Sequence, residues 1–169
     1  NLLSNPRLEF FQCDLSEHEE IKKLLIKLNK IDQIDVLVNN AGAVFDKRVT
    51  NSKGIEKTFA LNHLSYLQLS IGLKEKLEKS DISRIINISS DLAIRAPDQR
   101  VYSPTMSFDD IQSYKPLGYS IVKTALIGMT RYLAEYWGHK NVRVNALLPG
   151  GVYNNQPKQL VENVKKRTI

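Results

Sequence analysis

The chain has 169 residues, of which 42% are hydrophobic and 25% charged, and its formal net charge is +6. This length and balance are typical of one globular domain, which we place over residues 1–169. No apolar run is long enough to cross a membrane, no signal-peptide pattern opens the sequence, and the single cysteine, Cys13, excludes an internal disulfide. We therefore expect a cytoplasmic protein.

The positive charge could indicate a nucleic-acid partner. However, the lysines are scattered over the outer faces of predicted helices and the C-terminal tail, and no nucleic-acid-binding motif accompanies them. A solvated surface explains this charge better, so we expect neither a nucleic acid nor a membrane as partner. An anionic ligand would still be attracted, although the sign of the charge does not identify it.

Predicted strands and helices alternate along the chain. The apolar runs at 8–13, 34–38, 84–88 and 142–148 are typical of buried strands. Three helices are predicted. The first begins at Ser16 with a capping box to Glu19, the second runs from about 52 to 79, and the third covers 117–137. Connections of this length require crossovers, so we expect an α/β fold with a parallel sheet and helices on both faces.

Every predicted strand ends in a polar or glycine-containing group. These groups are Asp14, residues 39–42, the pair Ser89 and Ser90, and residues 149–151. Each group taken singly is ordinary turn chemistry. Ligands of open parallel sheets bind beyond the carboxyl ends of the strands, so four such groups at one edge indicate a binding site there.

Two residues of the third helix, Tyr119 and Lys123, are spaced to lie on the same helix face. An ammonium beside a phenol stabilises the phenolate, and a tyrosine placed in this way can act as a general acid or base. Tyrosine and lysine at this spacing are also common on solvated helices. Asn62 interrupts the apolar stripe of the second helix, either as a satisfied structural amide or as a group that holds a water or a backbone carbonyl near the site.

With these residues in place, the sequence resembles the short-chain dehydrogenase/reductase family. The matching pieces, in the family's order, are Asp14-Leu15, Asn39-Asn40-Ala41-Gly42, Asn62, Ser90, Tyr119-x-x-x-Lys123 and Pro149-Gly150. The resemblance implies a Rossmann-type doubly wound parallel sheet and NAD or NADP as cofactor. It also implies hydride transfer between the nicotinamide and the carbonyl or alcohol carbon of a small molecule.

The resemblance also implies roles for single residues. Tyr119 would exchange a proton with the substrate oxygen, and Ser90 would hydrogen-bond that oxygen. Lys123 would hold the nicotinamide ribose, and Asn62 would anchor a proton-relay water. Ser89 competes with Ser90, but the second serine of RIINISS matches the family position.

Further positions match the family's cofactor contacts. Asp14, followed by Leu15, matches the adenine contact, and the segment Asn39, Asn40, Ala41 and Gly42 supports the adenosine side. Pro149, Gly150 and Val152 would flank the nicotinamide. No histidine, cysteine and carboxylate share metal-ligand spacing, so we expect no metal site.

Three departures from the family pattern, at the start of the chain, at its end and between Ser90 and Tyr119, lead to further expectations. The resemblance begins at the family's third strand and stops within its substrate lid, so we expect an internal fragment of a longer reductase whose Gly-rich phosphate turn lies elsewhere. NAD therefore cannot be distinguished from NADP. The interval between Ser90 and Tyr119 is longer than usual, and residues 91–116 should form a site rim or a solvated loop. Its polar residues could contact a sugar-like substrate: Arg95, Asp98, Gln99, Arg100 and Tyr102.

Subfamily resemblances differ along the chain. Residues 44–69 look like the retinol-dehydrogenase-like branch, whereas 115–137 and 142–156 resemble bacterial oxidoreductases of surface-sugar synthesis. The second match is longer and favours a sugar-like carbonyl. The alternative function is a non-catalytic binding or assembly subunit of the same fold. By resemblance, the two long helices would pair into a homodimer or homotetramer.

Overall fold

The structure, a computed structural model, describes residues 7–45, 47–102 and 115–166. Its sheet holds β1 (Val36–Asn39), β2 (Arg84–Ile88) and β3 (Arg143–Leu147) in the order β1-β2-β3. Both pairings are parallel, so the carboxyl ends of all three strands lie at one edge. The predicted parallel sheet is confirmed.

Helices connect the strands of this sheet. The bounds are α1 (His18–Leu28), α2 (Lys57–Phe59), a π-helical turn (Ala60–Leu64), α3 (Ser65–Gly72), α4 (Lys74–Glu78), α5 (Leu117–Gly138) and α6 (Lys158–Lys165). The long second helix of the prediction is therefore divided into four pieces and begins at residue 57 rather than 52. Within the described ranges, none of the helices is long and apolar enough to span a bilayer.

The predicted strand at 8–13 is wrong. Residues 8–14 form no ladder with any strand in the described part of the chain, and Phe10 is 73% exposed. An apolar run becomes a strand only where a neighbouring strand accepts its backbone hydrogen bonds, and none lies beside it here.

The predicted capping box at Ser16 is also wrong. Helix α1 begins at His18, and its N-cap residue, Glu17, makes no side-chain cap bond. The Ser16 hydroxyl instead donates to the carboxylate of Asp14 at 2.7 Å. A carboxylate two residues away competes successfully for this hydroxyl, as short polar side chains often do at turns.

The core lies on one face of the sheet. Leu37, Ile85 and Val144 point from the three strands toward residues of α3, α4 and α5, which include Tyr66, Leu77, Leu126, Leu133 and Trp137. The alternate strand positions face the other way, and Val38 is 53% exposed. The helices described here therefore cover one face of the sheet.

A buried amide network fixes the strands against this helical layer. Asn39 donates to the side-chain oxygen of Asn87 at 2.9 Å and to the hydroxyl of Ser70 at 3.2 Å, and Asn87 donates to the hydroxyl of Thr130 at 3.0 Å. Both asparagines are almost fully buried, so these bonds offset the loss of water around their amides. The network holds the carboxyl ends of β1 and β2 in place relative to α3 and α5.

Candidate active site

A cavity of about 400 Å³ lies at the carboxyl edge of the sheet. The segments after β2 and β3 remain paired there, because the Ser89 amide donates to the Leu147 carbonyl at 2.8 Å and the Asp91 amide donates to the Pro149 carbonyl at 3.1 Å. This pairing places Ser90 next to the turn after β3. The cavity is lined by Ser90, Tyr119, Pro149, Gly150 and Val152, which are five of the predicted site residues.

Helix α5 brings Tyr119 and Lys123 together. The Lys123 side chain is buried, with 5% exposure, and its ammonium donates to the Ile88 carbonyl at 2.7 Å. The same ammonium lies 5.8 Å from the centre of the Tyr119 ring. Burial, and then the nearby charge of Lys115, lower the pKa of Lys123. The pair therefore combines a cavity-lining phenol with a buried cation, an arrangement suited to acid–base chemistry.

The two neighbouring serines have different hydrogen bonds. The Ser89 hydroxyl donates to the Lys123 carbonyl at 2.7 Å, which holds β2 against α5. The Ser90 hydroxyl donates to the Asp91 carboxylate at 3.0 Å and accepts from the Leu92 amide at 3.2 Å. The Ser89 proton is thus used within the fold, whereas Ser90 can turn its proton from Asp91 to a ligand in the cavity.

Asn62 holds the loop that follows β1. It lies in the π-helical turn, is 1% exposed, and donates its amide protons to the carbonyls of Ala43 (2.7 Å) and Thr58 (2.8 Å). Its side-chain oxygen is buried and has no partner among the described residues. Asn62 therefore holds a backbone carbonyl of the site loop, and the wider π turn, a feature often found at functional sites, positions it there.

Gly42 packs against this asparagine. A Cβ at Gly42 would lie 2.6 Å from the Asn62 oxygen, and Asn62 cannot swing away because two hydrogen bonds hold its amide. We expect Gly42→Ala to lower the free energy of unfolding by about 1–3 kcal/mol and to weaken coenzyme binding. Thermal unfolding and coenzyme titration of the variant measure both effects.

Gly128→Ala is the matched control for Gly42→Ala. Gly128 lies in the interior of α5 with no atom within 4 Å of an added Cβ, so alanine there should stabilise the helix by about 1 kcal/mol. If Gly42→Ala behaves like this control, the contact with Asn62 does not constrain the loop.

The remaining predicted residues lie away from the cavity lining. The Asp14 carboxylate accepts from the Ser16 amide and hydroxyl and lies 3.7 Å from the Lys57 ammonium, and the Ser16 bonds lower its pKa. Leu15 belongs to the same turn and is partly buried. The Asn39 side chain is inside the amide network, whereas the three residues after it, Asn40, Ala41 and Gly42, are exposed. Within the described ranges, no cluster of three or more His, Cys, Asp or Glu side chains could hold a metal ion.

Two residues beside Tyr119 escaped the sequence analysis. The Lys115 ammonium lies 4.1 Å from the centre of the Tyr119 ring, and the Lys123 ammonium lies 5.9 Å from the ring of the buried Tyr66. Lys115 had no signal in the sequence, because it precedes Pro116 and the first residue of α5, where helical spacing does not apply. Tyr66 had none, because an aromatic residue in an apolar stripe is typical of the core. Residues 103–114 of the predicted rim lie outside the described residues.

The Tyr66 hydroxyl is buried without a partner in the described part of the chain, and burial, then Tyr119, raise its pKa to about 12. Because an unsatisfied buried hydroxyl is costly, Tyr66→Phe should raise the free energy of unfolding by about 1 kcal/mol. Chemical denaturation measures this change. The matched control is Tyr136→Phe at an exposed position of α5, where we expect a change below about 0.5 kcal/mol. A clear loss of stability in Tyr66→Phe would show that the hydroxyl has a bound partner.

Comparison with known proteins assigns the family. A family model described as enoyl-(acyl carrier protein) reductase matches residues 2–167. The crystal structure of a short-chain dehydrogenase from Leptospira borgpetersenii with bound NAD+ superimposes with a TM-score of 0.78 at 25% identity, covering 97% of this chain and 62% of that one. The chain belongs to the short-chain dehydrogenase/reductase family. The predicted family and its Rossmann-type doubly wound fold are confirmed, with the difference that the helices in the described part of the chain cover one face of the sheet and not both.

Curated members of the short-chain dehydrogenase/reductase family extend this comparison. The oxidoreductase YvrD of Bacillus subtilis, named as uncharacterized, is 33% identical over 140 residues, which are 82% of this chain and 47% of that protein. Human retinol dehydrogenase 13 is 32% identical over 152 residues, which cover 86% of this chain and 44% of that protein. The chain thus spans about half the length of the curated relatives it matches.

Proposed function

We propose that the protein is an NAD(P)-dependent oxidoreductase that transfers a hydride between the nicotinamide and a carbonyl or alcohol carbon. The observation that carries this proposal is the joint placement of Ser90 and Tyr119 on one cavity, with the Lys123 ammonium beside the tyrosine ring. Membership of the family and the NAD+ bound to the Leptospira neighbour support it.

The residues at the cavity fit a nicotinamide coenzyme. An ammonium has three protons, and the contact of Lys123 with the Ile88 carbonyl leaves protons to donate to ribose hydroxyls. Pro149, Gly150 and Val152 would lie against the nicotinamide, and Asn40–Gly42 form an exposed segment for the adenosine side. Asp14 and Leu15 would contact the adenine. When bound, NAD or NADP supplies or accepts the hydride.

The chain's own residues manage the proton. In the direction of reduction, the Tyr119 hydroxyl donates its proton to the substrate oxygen, and in oxidation the phenolate accepts it. The Ser90 hydroxyl turns from Asp91 and donates to the same oxygen, which stabilises the charge that develops there. Lys123 stabilises the phenolate through its charge. Asn62 holds the Ala43 carbonyl, and its side-chain oxygen, which has no partner among the described residues, is a site for the relay water that the family resemblance implies.

We propose that the substrate is a small polar carbonyl or alcohol compound. That this compound is sugar-like stays a prediction. Much of the polar rim is bonded to other protein groups: Arg95 to Asp91, Arg100 to Asp98, and the Gln99 side chain to the Lys115 backbone. Tyr102 lines the cavity.

A homodimer or homotetramer in the cytoplasm completes the proposal. Helix α5 exposes four large apolar side chains, Leu117, Ile121, Tyr132 and Tyr136, and α3 exposes Ile71. These residues support helix pairing between subunits, since contiguous exposed apolar surface commonly marks an interface. A single cysteine in the 169 residues is compatible with a reducing compartment.

Coenzyme oxidation with a panel of ketones and aldehydes tests the proposed function in the protein of natural length. We expect turnover of NADH or NADPH with at least one polar carbonyl compound. No turnover with any of them, together with no coenzyme binding, would favour the binding or assembly subunit instead.

A further inference from the structure

Lys115 places a positive charge at the candidate active site. It precedes α5, is partly buried, and lines the same cavity as Ser90 and Tyr119, with its ammonium 4.1 Å from the centre of the Tyr119 ring. The Gln99 side chain clamps its backbone, because the Lys115 amide donates to the Gln99 oxygen at 3.0 Å and the Gln99 amide donates to the Lys115 carbonyl at 3.4 Å. Two hydrogen bonds therefore fix the backbone of Lys115, and its ammonium lies over the Tyr119 ring.

The other charged side chains that line the cavity, Asp91, Arg95 and Asp98, form ion pairs within the protein. The Arg95 guanidinium binds the Asp91 carboxylate, and the Arg100 guanidinium binds the Asp98 carboxylate at 2.9 Å. For Lys115, the described ranges contain no ion pair with an acidic side chain. Burial lowers its pKa, because the ammonium has lost part of its water. A bound anion would offset this loss.

The cavity also has apolar lining residues. Leu92, Val101, Val152 and Val164 contribute to the lining of the same cavity. A cavity of about 400 Å³ is within the range of small-molecule sites. A fitting ligand therefore has an anionic group, a short apolar segment and an oxygen for Ser90 and Tyr119.

We propose that Lys115 is a substrate-binding residue that takes the carboxylate of a short hydroxy or keto acid, whose reacting oxygen lies at Ser90 and Tyr119. This inference rests on the proposed function and names its substrate class. A carboxylate fits better than a phosphate, because among the described cavity-lining residues Lys115 alone supplies a cation without an ion pair, whereas phosphate sites gather several donors. The acid would bind through a charge-assisted hydrogen bond that a neutral analogue cannot make.

Equilibrium binding to the coenzyme-loaded protein of natural length tests the inference. The probes are lactate and 3-hydroxybutyrate, each compared with its neutral amide by ligand-observed NMR titration. We expect at least one acid to bind about 10- to 100-fold more tightly than its amide. Lys115→Met should abolish this preference while leaving the affinity for the amide unchanged, and Lys115→Arg should keep most of it.

Lys140→Met is the matched control, since Lys140 is exposed just beyond the other end of α5, and it should keep the preference for the acid. Equal affinities for acids and amides in the unaltered protein would overturn the inference. So would a Lys115→Met variant that weakens coenzyme binding, or one that lowers the affinity for acid and amide equally, because the ammonium would then serve the coenzyme or the packing of Tyr119.

A separate coenzyme titration distinguishes this inference from the proposed function. If NADH or NADPH binds and no acid is preferred, the carboxylate site is wrong and the oxidoreductase proposal stands. If neither coenzyme binds, the same acid and amide comparison on the coenzyme-free protein decides the matter. If the coenzyme-free protein prefers the acid over its amide and Lys115→Met loses this preference, the carboxylate site is supported without the oxidoreductase function. If the coenzyme-free protein shows no preference for the acid, the carboxylate site is overturned as well.

Discussion

Tyr119→Phe is expected to lower kcat by about 10²- to 10⁴-fold while coenzyme affinity stays within about twofold of the unaltered protein. The phenylalanine keeps the ring that lies beside Lys115 and Lys123 but has no proton to give to the substrate oxygen. Steady-state turnover of a carbonyl substrate, with parallel titration of the coenzyme, separates the chemical step from binding.

The control for Tyr119→Phe is Tyr132→Phe on the same helix. The Tyr132 side chain is exposed and stacks on Tyr136 at 5.7 Å between ring centres, away from the cavity lining. The Tyr132→Phe variant should have the same activity as the unaltered protein. If Tyr119→Phe is equally active, Tyr119 is not the acid or base of the reaction.

Lys123→Met should lower kcat/KM by about 10²-fold or more, comparable to the loss of one preorganised electrostatic contact in a water-excluded site. Methionine retains most of the aliphatic side chain but removes the charge proposed to stabilise the phenolate of Tyr119 and the donor to the Ile88 carbonyl. Coenzyme affinity should fall as well, because the donor proposed for the ribose is lost.

The stability of Lys123→Met discriminates between a catalytic and a structural lysine. Burial disfavours the charged form of Lys123, and relief of this cost offsets the loss of its hydrogen bond to the Ile88 carbonyl, so we expect little change in the melting temperature. Differential scanning calorimetry measures this change, with Lys140→Met, at an exposed position just beyond the C-terminal end of α5, as the control. A parallel fall of Tm and activity would show that Lys123 mainly supports the packing of α5.

Local patterns were sufficient for much of the sheet and for the centre of the site. The apolar runs at 34–38, 84–88 and 142–148 correspond to β1, β2 and β3, because each has neighbours in the sheet to bond with. Helix α5 and the adjacency of Tyr119 and Lys123 followed from helical spacing, which depends on no distant contact.

The errors and omissions depend on distant contacts. The run at 8–13 has the composition of a strand, but pairing is a property of the neighbours and not of the run. The π-helical turn around Asn62 depends on the contact of Asn62 with the loop after β1, and local helix propensity carries no information about such a distant contact.

The rim arginines were candidates for substrate binding, yet Arg95 and Arg100 are neutralised by carboxylates that lie four and two residues away. Lys115 was passed over because its importance comes from its position over a ring and its clamp to Gln99.

Titration of NADH and of NADPH into the protein of natural length, followed by nicotinamide fluorescence, tests the central proposal most directly. We expect saturable binding of at least one of the two, weakened by Lys123→Met and unchanged by Tyr119→Phe. That result would support the assignment of Lys123 to the coenzyme and of Tyr119 to the proton. If neither coenzyme binds, the site formed by Ser90, Tyr119 and Lys123 does not serve hydride transfer, and the proposed oxidoreductase function is contradicted.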